Sequence, residues 1–192
     1  MQKTIKKNVI IVGTGIHLGR PARLTIKPAP TNHGIVFKRL DVDHNNTLIK
    51  ANFKNILSGE LCTTLVNEEG ISVKTVEHLL AAFSGLGISN ALIEIDNEEI
   101  PILDGSSLKF AQALIDAGIC EQDESLNFCS VKKSIKVVSK KSWVKFEPAD
   151  NLILTVCIDY PNTCIGKQNL SLIISKDTFQ KELCDNRTFC LK

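Results

Sequence analysis

The 192-residue sequence lacks both a strong net charge and a long apolar run. Its 23 Lys and Arg residues nearly balance 21 Asp and Glu residues, which leaves a net charge of +2 at pH 7. The charge excess typical of nucleic-acid-binding proteins is therefore absent, and the lysines at 132–133 and 140–141 are interpreted as solvated edges. No stretch approaches the roughly 20 apolar residues of a membrane span, and the apolar run 9–12 is too short for a signal peptide. We expect a cytoplasmic protein with no nucleic-acid partner and no integral membrane segment.

The sequence also lacks the common metal and disulfide motifs. Its seven cysteines are scattered and include no Cys-x-x-Cys pair, which argues against a disulfide scaffold and against a cysteine-based zinc site. We expect most of them to be small buried side chains. A His-Glu-x-x-His segment is missing, which excludes the common helical zinc site. The histidines are His17, His33, His44 and His78, so none follows residue 78.

Two segments of the sequence have helical spacing. In the first, apolar residues from Val76 onward recur at the spacing of one helix face, with Thr75 as N-cap and Gly85 or Gly87 as the end. The second starts at a cap at Ser106 or Ser107 and ends at Gly118. Around them, β-branched and alternating segments predict strands at 4–12, 22–27, 34–40, 61–66 and 90–95.

A polar stretch, 120–125, separates this first block from a second one. The second block has strand patterns at 135–138, 143–146, 152–158 and 170–174, followed by a short helical pattern at 177–183. If it mirrors the first block, most of its helical layer is absent. The pattern predicts an α+β protein whose second part is incomplete.

The Gly13-Thr14-Gly15 segment follows an apolar strand, as a dinucleotide-binding loop does. Such a loop must open a helix, whereas Pro21 and the alternation after it predict another strand. We therefore interpret the segment as the connection of a strand hairpin. His17 in this connection is either a surface residue or a polar group lining a cleft, and the sequence leaves both open.

Glu77 and His78 lie in the first turn of the first predicted helix. A carboxylate beside an imidazole can serve as base and metal ligand, but the residues alone favour the simpler explanation, a glutamate suited to a helix N-terminus beside an ordinary histidine. Farther along, Asp104-Gly105 indicates a tight turn with serine caps after it. An aspartate at that turn can also orient a catalytic group.

The order of these segments resembles a known family. The segments are GTGIH at 13–17, LCTTLVN at 61–67, TVEHLLAA at 75–82, GLGI at 85–88 and IPILDGS at 100–106. As a set they resemble the UDP-3-O-acyl-N-acetylglucosamine deacetylases, which catalyse the committed step of lipid A synthesis in Gram-negative bacteria. The resemblance implies two similar domains, each a β-sheet layered against helices, with the active site between them: 1–122, and a partial second domain at 126–192.

The resemblance also implies roles for individual residues. His78 matches the first ligand of a catalytic zinc ion, and Glu77 matches the general base that acts on the zinc-bound water. Thr188 matches a threonine that hydrogen-bonds the oxyanion of the tetrahedral intermediate. The substrate, a UDP-linked acyl-aminosugar, is then expected to contact His17, Leu61, Cys62 and Phe189.

The sequence departs from the family pattern toward its C-terminal end. In the family, a later His-Lys-x-x-Asp segment supplies the other two zinc ligands and a still later histidine acts as general acid. A catalytic zinc ion normally needs three protein ligands, and His78 is the one that can be assigned here. We expect a C-terminally truncated deacetylase that is impaired alone. The alternative is a non-catalytic remnant of a disrupted gene, or one half of an enzyme completed by a separate downstream chain.

Overall fold

The computed structural model of the chain describes residues 1–57, 61–140 and 142–188. Helices and strands both occur in it, and the strands form several separate sheets. This confirms the α+β class expected from the sequence. In the part of the chain that the structure describes, no helix has the length and apolar character needed to cross a bilayer.

Residue contacts divide the chain into two compact units. Unit 1 comprises Met1–Leu126 and Gln180–Lys192, and unit 2 comprises Asn127–Phe179. The domain boundaries expected from the sequence, 1–122 and 126–192, remain a prediction, as does the likeness between the two domains.

Unit 1 is built on a five-stranded sheet and two helices. Its elements are β1 (Lys3–Ile5), β2 (Val9–Thr14), β3 (Pro21–Pro28), β4 (Ile35–Arg39), β5 (Leu48–Lys50), a 3-10 turn (Phe53–Asn55), β6 (Ile56–Leu57), β7 (Thr64–Val66), β8 (Ser72–Val73), α1 (Glu77–Leu86), β9 (Ala91–Ile95), α2 (Leu108–Asp116) and β10 (Ile119–Glu121). The five-stranded sheet has the order β2-β3-β9-β4-β5. Its neighbours are antiparallel except β4 and β9, which are parallel. A three-stranded sheet, β6-β7-β8, and the pair β1-β10 accompany it.

The core of unit 1 combines the inward positions of the sheet with one face of each helix. On β3, Leu24 and Ile26 are fully buried, whereas Arg23 is exposed. This alternation is that of a strand with one buried face. Each large apolar side chain buried in this way stabilises the fold by about 1.5–3 kcal/mol. The helices contribute Leu79, Ala82, Phe83 and Leu86 from α1, and Phe110, Ala111 and Leu114 from α2.

The first helix differs from its prediction at one end. Thr75 is not the N-cap: Val76 occupies that position, and the Thr75 hydroxyl is bound to Glu99 instead of a helix N–H group. The prediction failed because a buried carboxylate competes for the hydroxyl. At the other end, Gly87 adopts φ +72° and its N–H binds the carbonyls of the last turn, which confirms Gly87 as the helix end.

The second helix starts where it was expected. Ser107 is its N-cap residue, although no side-chain cap hydrogen bond is made by it. Instead the Ser106 hydroxyl accepts the Leu108 N–H at 3.1 Å, and the Ser107 hydroxyl donates to the Cys184 carbonyl at 3.1 Å. Ser106 therefore binds the first turn of the helix, and Ser107 binds a segment that is distant in the sequence.

Several short strands escaped the sequence patterns. β5, β6, β8 and β10 have two or three residues each, too few for a period of two to be recognised. The expected strand at 4–12 is divided into β1 and β2 by a bend.

The expectation that most cysteines are buried is wrong: among the described ones Cys184 is buried, whereas the others are half-buried (Cys62, Cys120) or exposed (Cys129, Cys157, Cys164).

Unit 2 contains two antiparallel hairpins. β11 (Ile135–Ser139) pairs with β12 (Ser142–Phe146), and β13 (Ile153–Tyr160) pairs with β14 (Gly166–Ile173). The strands expected in this block are thereby confirmed, and β14 begins earlier than its expected start at 170. After them, the expected helix at 177–183 is divided between two short elements: α3 (Lys176–Thr178), which has Ser175 as its cap, and a π-helical turn (Phe179–Leu183).

Candidate active site

The N-terminus of α1 carries the two residues with the clearest catalytic chemistry, Glu77 and His78. They are the first two residues of the helix, and both are half-buried. The Thr63 N–H donates a hydrogen bond of 3.0 Å to Oε2 of Glu77, and the Val76 N–H donates one of 3.4 Å to the Thr63 carbonyl. The helix dipole favours a carboxylate at this end. These two hydrogen bonds join the start of α1 to Thr63, and they give one carboxylate oxygen of Glu77 a defined position.

The turn before α1 is held in a strained backbone conformation. Thr75 is buried, and its φ of +58° lies in the left-handed region that a β-branched residue rarely adopts. Its hydroxyl donates a hydrogen bond of 3.1 Å to Oε1 of Glu99. The backbone around Lys74 also pairs with that of Glu99 as a parallel β-bridge. These contacts offset the strain and determine where α1 begins.

Glu99 is a buried carboxylate at the centre of these contacts. Its Oε1 also accepts the backbone N–H of His17 at 2.9 Å, and its Oε2 accepts that of Leu18 at 2.7 Å. Burial raises the pKa of Glu99, but the hydrogen bonds from the two N–H groups and the Thr75 hydroxyl outweigh it and hold the pKa below its usual value. Glu99 is therefore ionised near neutral pH and joins the β2–β3 loop to the start of α1.

The β2–β3 loop approaches this carboxylate so closely that only glycine fits at position 15. A Cβ at Gly15 would overlap the Glu99 carboxylate. The Gly15 N–H donates a hydrogen bond of 3.0 Å to the Arg20 carbonyl at the other end of the loop. The antiparallel pairing of β2 with β3 confirms the predicted hairpin connection. The His17 side chain is exposed, and it is the backbone of this residue that faces inward.

The turn at Asp104 holds the segment that contains Thr188. The Thr188 N–H donates to the Gly105 carbonyl at 2.8 Å, and Nη2 of Arg187 lies 3.7 Å from Oδ2 of Asp104. Burial raises the pKa of Asp104, but hydrogen bonds from Ser106 and the nearby Arg187 guanidinium bring it below its usual value. The Asp104 turn thus has a function beyond starting α2, since it binds the chain where Thr188 lies.

The residues expected to contact substrate lie in different environments. Leu61 is 90% exposed with φ +66°. Cys62 is half-buried, with its Sγ 3.8 Å from Oγ1 of Thr64. Phe189 lies outside the described residues. The segment 98–105 binds two other parts of the candidate site: Glu99 binds the backbone of His17, and Gly105 binds that of Thr188.

A complete zinc site is not formed by the residues the structure describes. Within 1–57, 61–140 and 142–188, no group of three or more His, Cys, Asp or Glu side chains converges so as to hold a metal ion. His78 therefore fits as one ligand at most, and a catalytic zinc ion needs about three. The described residues thus supply one of the three ligands that the sequence resemblance implied, and they do not form a complete zinc centre by themselves.

Sequence reasoning missed two contributors to this site. Glu99 follows the acidic Glu98 and precedes the apolar Ile100-Pro101. No alternation or helical spacing in the sequence indicates that the Glu99 side chain is buried. Thr63 contributes through its backbone N–H, which residue type does not reveal. The available signal for Glu99 was its position directly beside an apolar segment. A carboxylate drawn into the interior with such a segment requires hydrogen-bond partners.

Comparisons with known proteins agree on one family. The family model described as LpxC, UDP-3-O-acyl N-acetylglycosamine deacetylase, matches residues 2–192. Curated relatives from Histophilus somni and Pasteurella multocida are 40% identical over 190 residues, and one from Wigglesworthia glossinidia brevipalpis is 38% identical over 191 residues. All three are named UDP-3-O-acyl-N-acetylglucosamine deacetylase. The matches cover 98% of this chain and 62%, 62% and 64% of those relatives, so the chain spans less than two thirds of their length.

Proposed function

The chain belongs to the family of UDP-3-O-acyl N-acetylglycosamine deacetylases, and from that membership we propose that it supplies the Glu77–His78 part of a deacetylase active site. The proposed substrate is UDP-3-O-acyl-N-acetylglucosamine, the proposed reaction is hydrolysis of its acetamide, and the proposed setting is cytoplasmic lipid A synthesis. The observation that carries the proposal is the pairing of Glu77 and His78 at the start of α1, with Glu77 held by the Thr63 N–H at 3.0 Å.

Glu77 is proposed as the general base. Its Oε2 is bound by a backbone N–H, whereas its Oε1 has no hydrogen-bond partner among the described residues. An oxygen in that situation can take a proton from the water that attacks the acetamide carbonyl, and general-base catalysis of this kind contributes about 10²–10⁴-fold. The hydrogen bond to Oε2 lowers the freedom of the carboxylate, so the reactive oxygen is presented in a single orientation.

Thr188 is proposed to stabilise the oxyanion. Its backbone is bound to Gly105, which leaves the hydroxyl as a donor on an exposed segment. The loss of one such donor typically costs about 10²–10³-fold in rate. His17, Leu61, Cys62 and Phe189 are proposed substrate contacts, and His17 is presented by a loop that Glu99 anchors.

Zinc is proposed to take part with His78 as one ligand. The metal would polarise the carbonyl of the amide. The described residues do not provide the further ligands, so these would have to come from elsewhere in the active enzyme. This favours a second candidate, in which the chain is one half of a split enzyme and turns over substrate only when a separate polypeptide completes it.

The test compares the purified chain alone with the chain mixed with a second polypeptide. The second polypeptide is the part of the Histophilus somni relative that lies outside the match. Bound zinc is measured by elemental analysis, and deacetylation is followed as acetate release. We expect neither zinc nor turnover from the chain alone, and both from the mixture.

Glu77→Ala should abolish turnover in the mixture and leave the zinc content unchanged, whereas Glu69→Ala, at an exposed carboxylate of the same unit, should alter neither. Stoichiometric zinc and turnover from the chain alone would show that it finds its remaining ligands without a partner. A mixture without zinc or turnover would favour a non-catalytic remnant.

A further inference from the structure

One short segment of the chain is rich in lysine and has no acidic residue. Residues 127–146 contain six of the 23 Lys and Arg residues and no Asp or Glu, although the whole chain has a net charge of only +2. The same segment contains the single tryptophan, Trp143. Such an asymmetry within a nearly neutral protein is typical of a surface that binds an anionic partner.

The hairpin β11–β12 sorts this segment into two faces. Side chains alternate between faces along a strand, and directly opposed residues share a face. Lys136 lies opposite Lys145 and Val138 lies opposite Trp143. These four residues form what we call the basic face, and the other face is apolar, with Ile135, Val137, Val144 and Phe146.

The basic face is exposed and only partly neutralised. Val138 and Trp143 are 64% and 59% exposed, and Nζ of Lys136 lies 4.7 Å from the centre of the Trp143 ring. Like charges directly opposite each other destabilise a strand pair. Lys145 is paired with Glu147 at 2.8 Å, an exposed ion pair of the kind that is easily released.

We propose that the basic face of β11–β12 docks on an anionic lipid surface, independently of the deacetylase function proposed above. Tryptophan is enriched at bilayer interfaces, where its ring lies at the level of the headgroups, and lysines near the surface are attracted by anionic headgroups. The exposed Val138 can enter the interface beside the indole ring. Single-stranded nucleic acid is instead bound in charged grooves where several aromatic side chains stack on successive bases, and this face has one aromatic side chain, Trp143.

The single tryptophan makes the test specific for this face. Fluorescence of Trp143 is recorded while the full chain is titrated with vesicles of phosphatidylcholine containing phosphatidylglycerol, and separately with vesicles of phosphatidylcholine alone. We expect a blue shift with the anionic vesicles only, reversed by salt because the attraction is screened. Quenching by brominated lipid should confirm that the ring enters the interface.

Matched variants separate this face from general charge. Lys136→Gln with Lys145→Gln should weaken partition about 25-fold, since each lysine near an anionic surface contributes about fivefold. Lys7→Gln with Lys50→Gln, at two exposed lysines of unit 1, should leave it unchanged, and Glu147→Gln should strengthen it. Circular dichroism of each variant shows whether its fold is retained.

Three results would overturn the proposal: no shift with anionic vesicles, equal binding by both double variants, or vesicle binding in which brominated lipid fails to quench Trp143. A shift caused by a single-stranded oligonucleotide but by no vesicle would assign the face to nucleic acid instead. Salt reversal and lipid quenching are measured on the unaltered chain, so they decide the matter even if a variant does not fold.

Discussion

The hydroxyl of Thr75 donates a 3.1 Å hydrogen bond to the buried carboxylate of Glu99, and this contact joins two segments that lie 24 residues apart. The same carboxylate accepts the backbone N–H groups of His17 and Leu18. One ionised group therefore determines both the start of α1, where Glu77 and His78 lie, and the position of the β2–β3 loop. The stability of the candidate site should depend on Glu99 more than on any catalytic residue.

Glu99→Gln should destabilise unit 1 by about 1–3 kcal/mol, because the amide NH₂ group cannot accept a hydrogen bond and leaves a buried N–H donor unsatisfied. The free energy of unfolding is measured in urea by far-UV circular dichroism. Glu98→Gln is the matched control. It removes a half-exposed ion pair with Lys74 at 2.8 Å, which should cost at most about 1 kcal/mol. Equal losses in the two variants would contradict the central position of Glu99.

Stability should fall in acid, and Glu99 should account for part of the fall. The pKa of Glu99 in the folded chain lies below its ordinary value of 4.5. A lowered pKa means that the folded state binds the proton less readily than the unfolded state, so the stabilisation is fully present above pH 4.5 and is lost as the pH falls through the folded-state pKa. Unfolding free energies measured across this range should have a smaller slope in Glu99→Gln. An unchanged slope would show that other carboxylates, such as Asp104, dominate the acid response.

Gly15→Ala should be more damaging than Gly19→Ala, although both glycines belong to the same loop. A Cβ at position 15 meets the Glu99 carboxylate, whereas one at position 19 meets nothing within 4 Å. The Glu99 carboxylate is held by three hydrogen bonds, so Gly15→Ala should cost the upper part of the about 1–3 kcal/mol typical of overpacking, together with lost hydrogen bonds. The left-handed φ of +63° at Gly19 costs about 1–2 kcal/mol for alanine. Urea unfolding of the two variants gives the comparison. If Gly19→Ala were the less stable, the close approach of the loop to Glu99 would be refuted.

Thr75→Val should be less stable than Thr75→Ser by about 1–2 kcal/mol. Serine keeps the hydroxyl that binds Glu99, whereas valine keeps the shape of the side chain and leaves the carboxylate without this donor. Valine also keeps the β-branch that the left-handed φ of +58° disfavours, so the hydrogen bond itself is isolated by comparing Thr75→Val with the unaltered chain, which has the same branch. Thermal unfolding of both variants under identical conditions is the measurement, and equal melting temperatures would contradict the prediction.

Long periodic segments were predictable, and short ones were not. The helix ending at Gly87 and the strands that became β3, β4 and β9 follow from hydrophobic spacing, because each element buries one regular face. β5, β8 and β10 have two or three residues, and pairing with neighbours rather than any local preference makes them strands. Thr75 illustrates the limit at a single residue: its type favours a helix cap, but Glu99, distant in sequence, binds its hydroxyl.

The sequence by itself determined the family, the α+β class and the Glu77–His78 pair, because these reside in contiguous motifs and in periodic burial. Only the tertiary structure decided that Glu99 joins the β2–β3 loop to the start of α1, that the Asp104 turn binds the segment of Thr188, and that Lys136, Lys145 and Trp143 share one face. The physical reason is the same in each case. Hydrogen bonds and charges act over a few ångströms in space, and a linear sequence does not record which distant backbone groups come within that range.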